Sequence, residues 1–276
     1  MSTRSLSVYL AAALLAANLP SLTTAQEPFQ LTPVEQQYLD QVLNRWESES
    51  GKIQTFSCDF TRLVYDPVFG PGAELHRNEE DGTLSYQQPD KGSFEIKKVR
   101  TWDAAQQRHI ENPNAIGEKW VCDGEAVYEY KNEQKQLVVR PIPPELQGKS
   151  IIDGPLPFLF GAEAAKLKAR YWMRIDPRSA ENQIRLVAAP KRQQDAANYR
   201  LVELMLDRER MLPVAMQVHL PDQSRAVYTF NLAGAEINSR MTQFWSQLFR
   251  SPHTPIGWKR VVEQPSTAQA PAGARR

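Results

Sequence analysis

Between residues 55 and 63 the side chains alternate: Phe56, Cys58 and Phe60 stand at one parity, Ser57, Asp59 and Thr61 at the other. A period of two places one set on each face of a β-strand. The same alternation recurs at residues 83–86, 93–98, 119–122, 126–130 and 136–140, and again at 169–175, 183–188, 199–206, 214–220 and 226–232. A chain with about ten or eleven strands, each with one apolar face, must curl around its own core, so the expectation is a mainly β fold, an antiparallel barrel or half-barrel. Asp81-Gly82 and Asp123-Gly124 tolerate positive φ and read as turns between neighbouring strands. Residues 67–78, with Gly70-Pro71-Gly72, are too irregular for a strand and read as a loop.

One helix is clear before the strands. Thr32 can cap it, Pro33 suits its first position and Glu35 completes a capping box. Tyr38, Leu39, Val42, Leu43 and Trp46 then form one apolar stripe, and the helix should stop near Gly51. Between the strand-rich halves, residues 154–168 break the pattern. Pro155, Pro157 and Gly161 exclude a strand, Leu156, Phe158, Leu159 and Phe160 are apolar on every side, and residues 162–168 favour a short helix. Such a segment is either a plug that completes the core or a lid over an apolar cavity. Met241, Phe244, Trp245, Leu248 and Phe249 fall at helical spacing, as a helix packed on the barrel or one lying on a membrane surface would.

The first 25 residues read as an export signal: Arg4, an Ala/Leu-rich run over 8–22 and the small residues Thr23-Thr24-Ala25. The run is interrupted by Asn18 and Pro20 and is short of the ~20 apolar residues that span a bilayer. The expected organisation is therefore a leader at 1–25, one β domain at 26–262 and a Pro/Ala/Ser/Gln-rich disordered tail at 263–276, in the periplasm or another extracytoplasmic space. There Cys58 and Cys122 could form a disulfide, or remain two small buried apolar residues.

Lys and Arg number 33 against 32 Asp and Glu, with no long like-charge block, which argues against a nucleic-acid partner. The chain contains no Gly-x-Ser-x-Gly elbow, no His-Glu-x-x-His, no phosphate-binding glycine loop and no close cysteine pair. His76, His109, His219 and His253 are scattered and read as loop or surface residues, and Glu79-Glu80-Asp81 as a solvated loop. No catalytic residue, metal ligand or cofactor is assigned.

Taken in order, the helix, TFSCDFTR, GTLSYQQP, KGSFEI, KWVCDGEAVYEY and GPLPFLFG resemble LolA, LolB and RseB, the lipoprotein-carrier superfamily. VLNRWE, VCDGEAVYEY, PFLFG and PIGWK resemble more narrowly a group of exported LolA-like proteins of Planctomycetes. The match runs over most of 34–261. It implies an unclosed antiparallel β-barrel over helices, with an apolar interior that holds acyl chains. Phe56, Phe60, Leu84, Tyr86, Phe94, Ile96, Trp120, Tyr128 and Tyr130 would line that interior and Phe158, Leu159 and Phe160 would form the lid. The superfamily has a basic residue before the proline of the second strand, where it hydrogen-bonds the lid; Gln88 stands before Pro89 here, and an amide lacks the charge-assisted bond. The function implied is non-catalytic: a monomeric carrier of a lipid or an acylated protein, with a membrane partner in the envelope. A lipid-sensing interaction module and an enzyme without a recognisable motif are the alternatives.

Overall fold

The computed structural model describes residues 28–263 apart from 114, 116, 146, 149–162, 241–244 and 246. Helix α1, Pro33–Ser50, begins at the expected capping box: the Glu35 N–H donates to Thr32 Oγ1 at 3.3 Å and the Thr32 N–H donates to Glu35 Oε2 at 2.8 Å. Leu39, Val42, Leu43 and Trp46 are buried, while Tyr38 at the rim of the stripe stays partly open.

The alternating segments become strands β1 (Thr55–Tyr65), β2 (Asn78–Gln87), β3 (Lys91–Asp103), β4 (Arg108–Glu111), β5 (Lys119–Cys122), β6 (Ala126–Lys131) and β7 (Gln136–Pro141). After α2 (Ala164–Arg170) come β8 (Tyr171–Ile175), β9 (Gln183–Pro190), the short helix α3 (Gln193–Ala196), β10 (Leu201–Asp207), β11 (Pro213–His219), β12 (Arg225–Phe230), β13 (Glu236–Ile237) and β14 (Lys259–Val262). They form one 14-stranded sheet in the order β14-β7-β6-β5-β3-β2-β1-β12-β11-β10-β9-β8, with β13 on β1 and β4 on β3. The terminal strands β14 and β8 do not pair with each other, so the barrel is unclosed. Each segment read from alternation is present. The additions are β4, β13 and β14, which are too short or too weakly patterned to register, and β14 joins β7 in parallel, so the sheet is mixed rather than wholly antiparallel.

The two halves of the chain meet at β1, which pairs β2 on one side and β12 on the other. One sheet face therefore runs continuously from β3 through β1 to β8, and α1 packs on it through a single core that includes Trp46, Phe56, Leu84, Leu186, Leu204 and Met216. Helix α2 is anchored to α1: Lys168 Nζ donates to Asp40 at 2.8 Å and the Ala164 N–H to Glu47 at 3.2 Å. The 66–77 connection is the expected loop. Asp66 folds its start by accepting the N–H groups of Val68 and Phe69, and Gly70 is required because a Cβ would lie 2.3 Å from the Asp66 carbonyl oxygen. The proposed leader, the tail beyond 263 and the lid residues Phe158, Leu159 and Phe160 lie outside the described residues, and no helix among the described residues is long and apolar enough to cross a membrane.

Candidate ligand-binding site

Residues directly opposite in an antiparallel ladder share a face, so register decides which of the expected site residues meet. Phe56 faces Tyr86 and Cys58 faces Leu84. Leu84 in turn faces Phe94, and Gly82 faces Ile96. Phe94 faces Trp120. Phe56, Phe60, Leu84, Tyr86, Phe94, Ile96 and Trp120 thus lie on the core face, all buried except the half-buried Trp120. Their rings form a ladder across the sheet. Trp120 stacks on Phe94 at 5.9 Å, Phe94 on Phe60 at 4.9 Å, and Phe60 meets Tyr228 at 5.9 Å and Phe230 at 6.3 Å.

Asp81-Gly82 is not a turn: both residues lie inside β2, at a bulge against β3. Glycine is needed there for close approach, since a Cβ would lie 2.4 Å from the Glu95 carbonyl oxygen and 2.6 Å from the Phe60 ring. The other predicted turn, Asp123-Gly124, does connect β5 and β6, with Gly124 at φ 93°. Its Asp123 carboxylate accepts the N–H groups of Glu125 and Ala126.

Tyr128 and Tyr130 are corrections to the expected set. Trp120 pairs with Glu129 and Val121 with Tyr128, so both tyrosines face away from the ladder. They belong to a second, smaller cluster with Ala126, Leu137 and Val139. The C-terminal segment covers it: Ser251 Oγ and Tyr128 Oη are 2.9 Å apart, Trp258 meets Tyr130 edge-on at 6.0 Å, and Arg260 lies over Tyr128 at 5.6 Å.

The reading of Glu79-Glu80-Asp81 as a solvated loop is also overturned, because the three residues are in β2 and Glu80 points into the core face, 6% exposed. Its partner is Arg62, whose Nε donates to Glu80 Oε2 at 2.5 Å while Nη1 donates to Glu118 at 2.7 Å and to Tyr228 Oη at 3.4 Å. The guanidinium lies over the rings of Phe94 at 5.7 Å and Tyr228 at 5.8 Å. Burial works against its charge, but Tyr228, Glu80 and Glu118 outweigh that and hold it above the ordinary arginine range. Sequence reasoning missed this residue although a signal was present: Arg62 continues the parity of Phe56, Cys58 and Phe60.

Cys58 and Cys122 are free and buried. They lie on β1 and β5, with β2 and β3 between them. Three strand spacings, about 14 Å, exceed the ~7 Å Cα separation a disulfide can bridge. Burial pushes the Cys58 thiol up to about 12 and the Cys122 thiol up to about 11. Gln88 is exposed at the sheet rim, where its N–H donates to the Gln54 carbonyl oxygen at 2.8 Å. It borders a cleft of about 640 Å³ with Gln54, Thr55, Lys91, Asn238, Arg240 and Trp245. A cleft of about 680 Å³ reaches Phe60, Gly82 and Phe230. A smaller one of about 260 Å³ lies between Phe29, Leu39, Tyr171 and Trp172. Trp245 and Phe249 are buried and stack at 6.0 Å, as expected for a segment packed on the barrel. Among the histidines, His76 and His109 are not scattered: their rings stack at 4.1 Å.

No protein-family model matches this chain, and no curated protein matches it. Solved structures that align with it include a conserved protein from Thermus thermophilus, with TM-score 0.45, 12% identity, and coverage of 82% of this chain and 99% of that one. A LolA superfamily protein from Nitrosomonas europaea aligns with TM-score 0.35, 8% identity, and coverage of 77% and 97%. A chain of the Pseudomonas aeruginosa MucA/MucB complex aligns with TM-score 0.35, 13% identity, and coverage of 73% and 58%. At these scores the architecture rests on the strand order and register of this chain itself.

Proposed function

We propose that this chain is an extracytoplasmic binding protein that holds a lipid, or the acyl chains of an acylated protein, against the core face of its unclosed sheet and catalyses no reaction. The observation that carries this reading is the continuous aromatic ladder Trp120-Phe94-Phe60-Tyr228, which leads from a half-buried tryptophan into the core. Acyl chains need such a surface, because each buried methylene contributes about 0.8 kcal/mol. In this reading the segment 154–168, with Phe158, Leu159 and Phe160, is the lid, and Gln88 is its proposed contact at the rim. The resemblance of TFSCDFTR, KGSFEI and GPLPFLFG to lipoprotein carriers points the same way, and the leader at 1–25 accounts for the compartment. The finer affiliation, with exported LolA-like proteins of Planctomycetes, rests on the short motifs quoted for it.

A fluorescent fatty-acid probe tests the proposal. It should bind the purified protein, quench or shift its tryptophan emission, and be displaced by phospholipid or a lipopeptide. Phe94→Ala should weaken the probe several-fold, whereas Tyr130→Ala, on the opposite face, should leave it unchanged. Absence of probe binding at micromolar protein, or binding with equal sensitivity to the two variants, overturns the proposal.

A further inference from the structure

We propose that His76, Glu79 and His109 form a binding site for a first-row divalent transition-metal ion of the zinc class, on the sheet face opposite the aromatic ladder. The fold converges three elements to make it. The loop before β2 carries His76, β2 carries Glu79, and β4 carries His109, which the β3–β4 register sets opposite Trp102. One ligand atom from each residue lies within 4.8 Å of the others.

The surroundings hold the three side chains together. The imidazoles stack within 8° of parallel, the Trp102 edge meets His109 at 5.2 Å, and the Tyr65 ring meets His76 at 5.9 Å. His109 Nε2 is also 3.0 Å from the His76 carbonyl oxygen. Arg100 donates to Glu79 Oε1 at 2.7 Å, which leaves Oε2 turned toward His76 Nε2 at 3.8 Å. Metal ligands are oriented by partners of this kind. His76 Nε2 is also buried with no hydrogen-bond partner among the described residues, a costly state that a coordinated ion would relieve.

The donor set selects the ion. Two imidazoles and one carboxylate suit zinc, copper or nickel, whereas magnesium and calcium prefer all-oxygen shells. Two ligand atoms at the usual 2.0–2.1 Å from a tetrahedral ion lie about 3.3 Å apart, and each imidazole lone pair lies in its own ring plane, so binding requires the two rings to turn out of their parallel stack as well as to close by roughly 0.5–1.5 Å. Three protein ligands leave a fourth position for water or an exogenous ligand. An ion held there ties the 66–77 loop to β4. The site is on the opposite face from the proposed acyl surface, so it stands or falls independently of it.

Calorimetric titration of Zn²⁺ into the full chain, first freed of metal with a chelator, reads the site directly. The expected result is one ion per chain with a dissociation constant of about 10 µM or tighter, weakened at least about tenfold by His76→Ala, His109→Ala or Glu79→Gln. His219→Ala, which removes the histidine paired with Glu203 elsewhere, should leave it unchanged. Co²⁺ added to the unmutated protein gives a readout that does not depend on any variant folding: intense visible bands of a four-coordinate ion are expected. No Zn²⁺ binding below about 100 µM, binding unchanged in the His76 and His109 variants, or only the weak spectrum of octahedral Co²⁺ would overturn the proposal.

Discussion

The Arg62–Glu80 pair predicts an asymmetric response to removing either partner. Their side chains are only 15% and 8% exposed, so both have lost most of their hydration and depend on each other. Glu80 has Arg62 as its hydrogen-bond partner among the described residues. Arg62 has more, since Glu118 and the Tyr228 hydroxyl also accept from it and two rings flank its face. Arg62→Met therefore strands a buried carboxylate and should cost about 3–5 kcal/mol, the range for breaking a buried ion pair from one side. Glu80→Gln leaves the guanidinium satisfied by Glu118 and should cost less, about 1–3 kcal/mol, the value of one hydrogen bond to a charged group. Arg62→Met combined with Glu80→Leu removes both charges and should recover most of the loss, giving a coupling energy of at least about 2 kcal/mol. Urea unfolding followed by intrinsic fluorescence measures all three, with an unchanged slope confirming that stability alone has moved. Single variants within about 0.5 kcal/mol of the parent, or a double variant that costs the sum of the singles, would show that the pair is solvated and would refute the reasoning.

Three further outcomes follow from the same geometry. Gly82→Ala should destabilise by about 1–3 kcal/mol, since its Cβ meets the Glu95 carbonyl and the Phe60 ring; unfolding midpoints check it. Thiol labelling of the native protein near neutral pH should be negligible, then reach both cysteines on denaturation. Because the folded values of Cys58 and Cys122, about 12 and 11, lie above the ordinary thiol value of 9.0, the stability tied to these neutral thiols is intact below pH 9 and is lost as pH rises through 11 to 12. Tyr128→Phe should cost about 1 kcal/mol, by releasing the Asp123 and Ser251 contacts at 2.9 Å, while leaving acyl-probe affinity unchanged; a loss of affinity would return this residue to the binding face.

Most of the architecture was legible because alternation is a local signal. Phe56, Cys58 and Phe60 declare their face without reference to any partner, and the Thr32–Glu35 box marks the helix start within four residues. What failed were statements about how neighbouring strands line up. In KWVCDGEAVYEY apolar residues occupy both parities, Val121 beside Cys122 and Val127 beside Tyr128, so the face of each strand depends on the loop between them. Cys122 pairs with Val127, which sets Trp120 opposite Glu129; pairing Cys122 with Ala126 instead would have brought Tyr128 onto the ladder. The tyrosines are out of the candidate site because of that single register step.

Gly82 failed for a related reason. A glycine after aspartate reads as a turn when judged alone, and reads as a contact only once Phe60 is known to lie across it. Charge misled in the same way: Glu79, Glu80 and Asp81 look like one solvated block, yet strand parity sends Glu80 inward to Arg62 and leaves Glu79 and Asp81 outside to share Arg100. The histidines repeat the lesson across a longer distance. His76 and His109 are separated by strands β2 and β3, and only the β3–β4 hairpin, with its weak sequence signature, stacks them. Both the buried ion pair and the proposed metal site are therefore products of pairing rather than of motif. The proposed binding face differs in kind, because its residues announce themselves strand by strand, and register only decided which of them belong together.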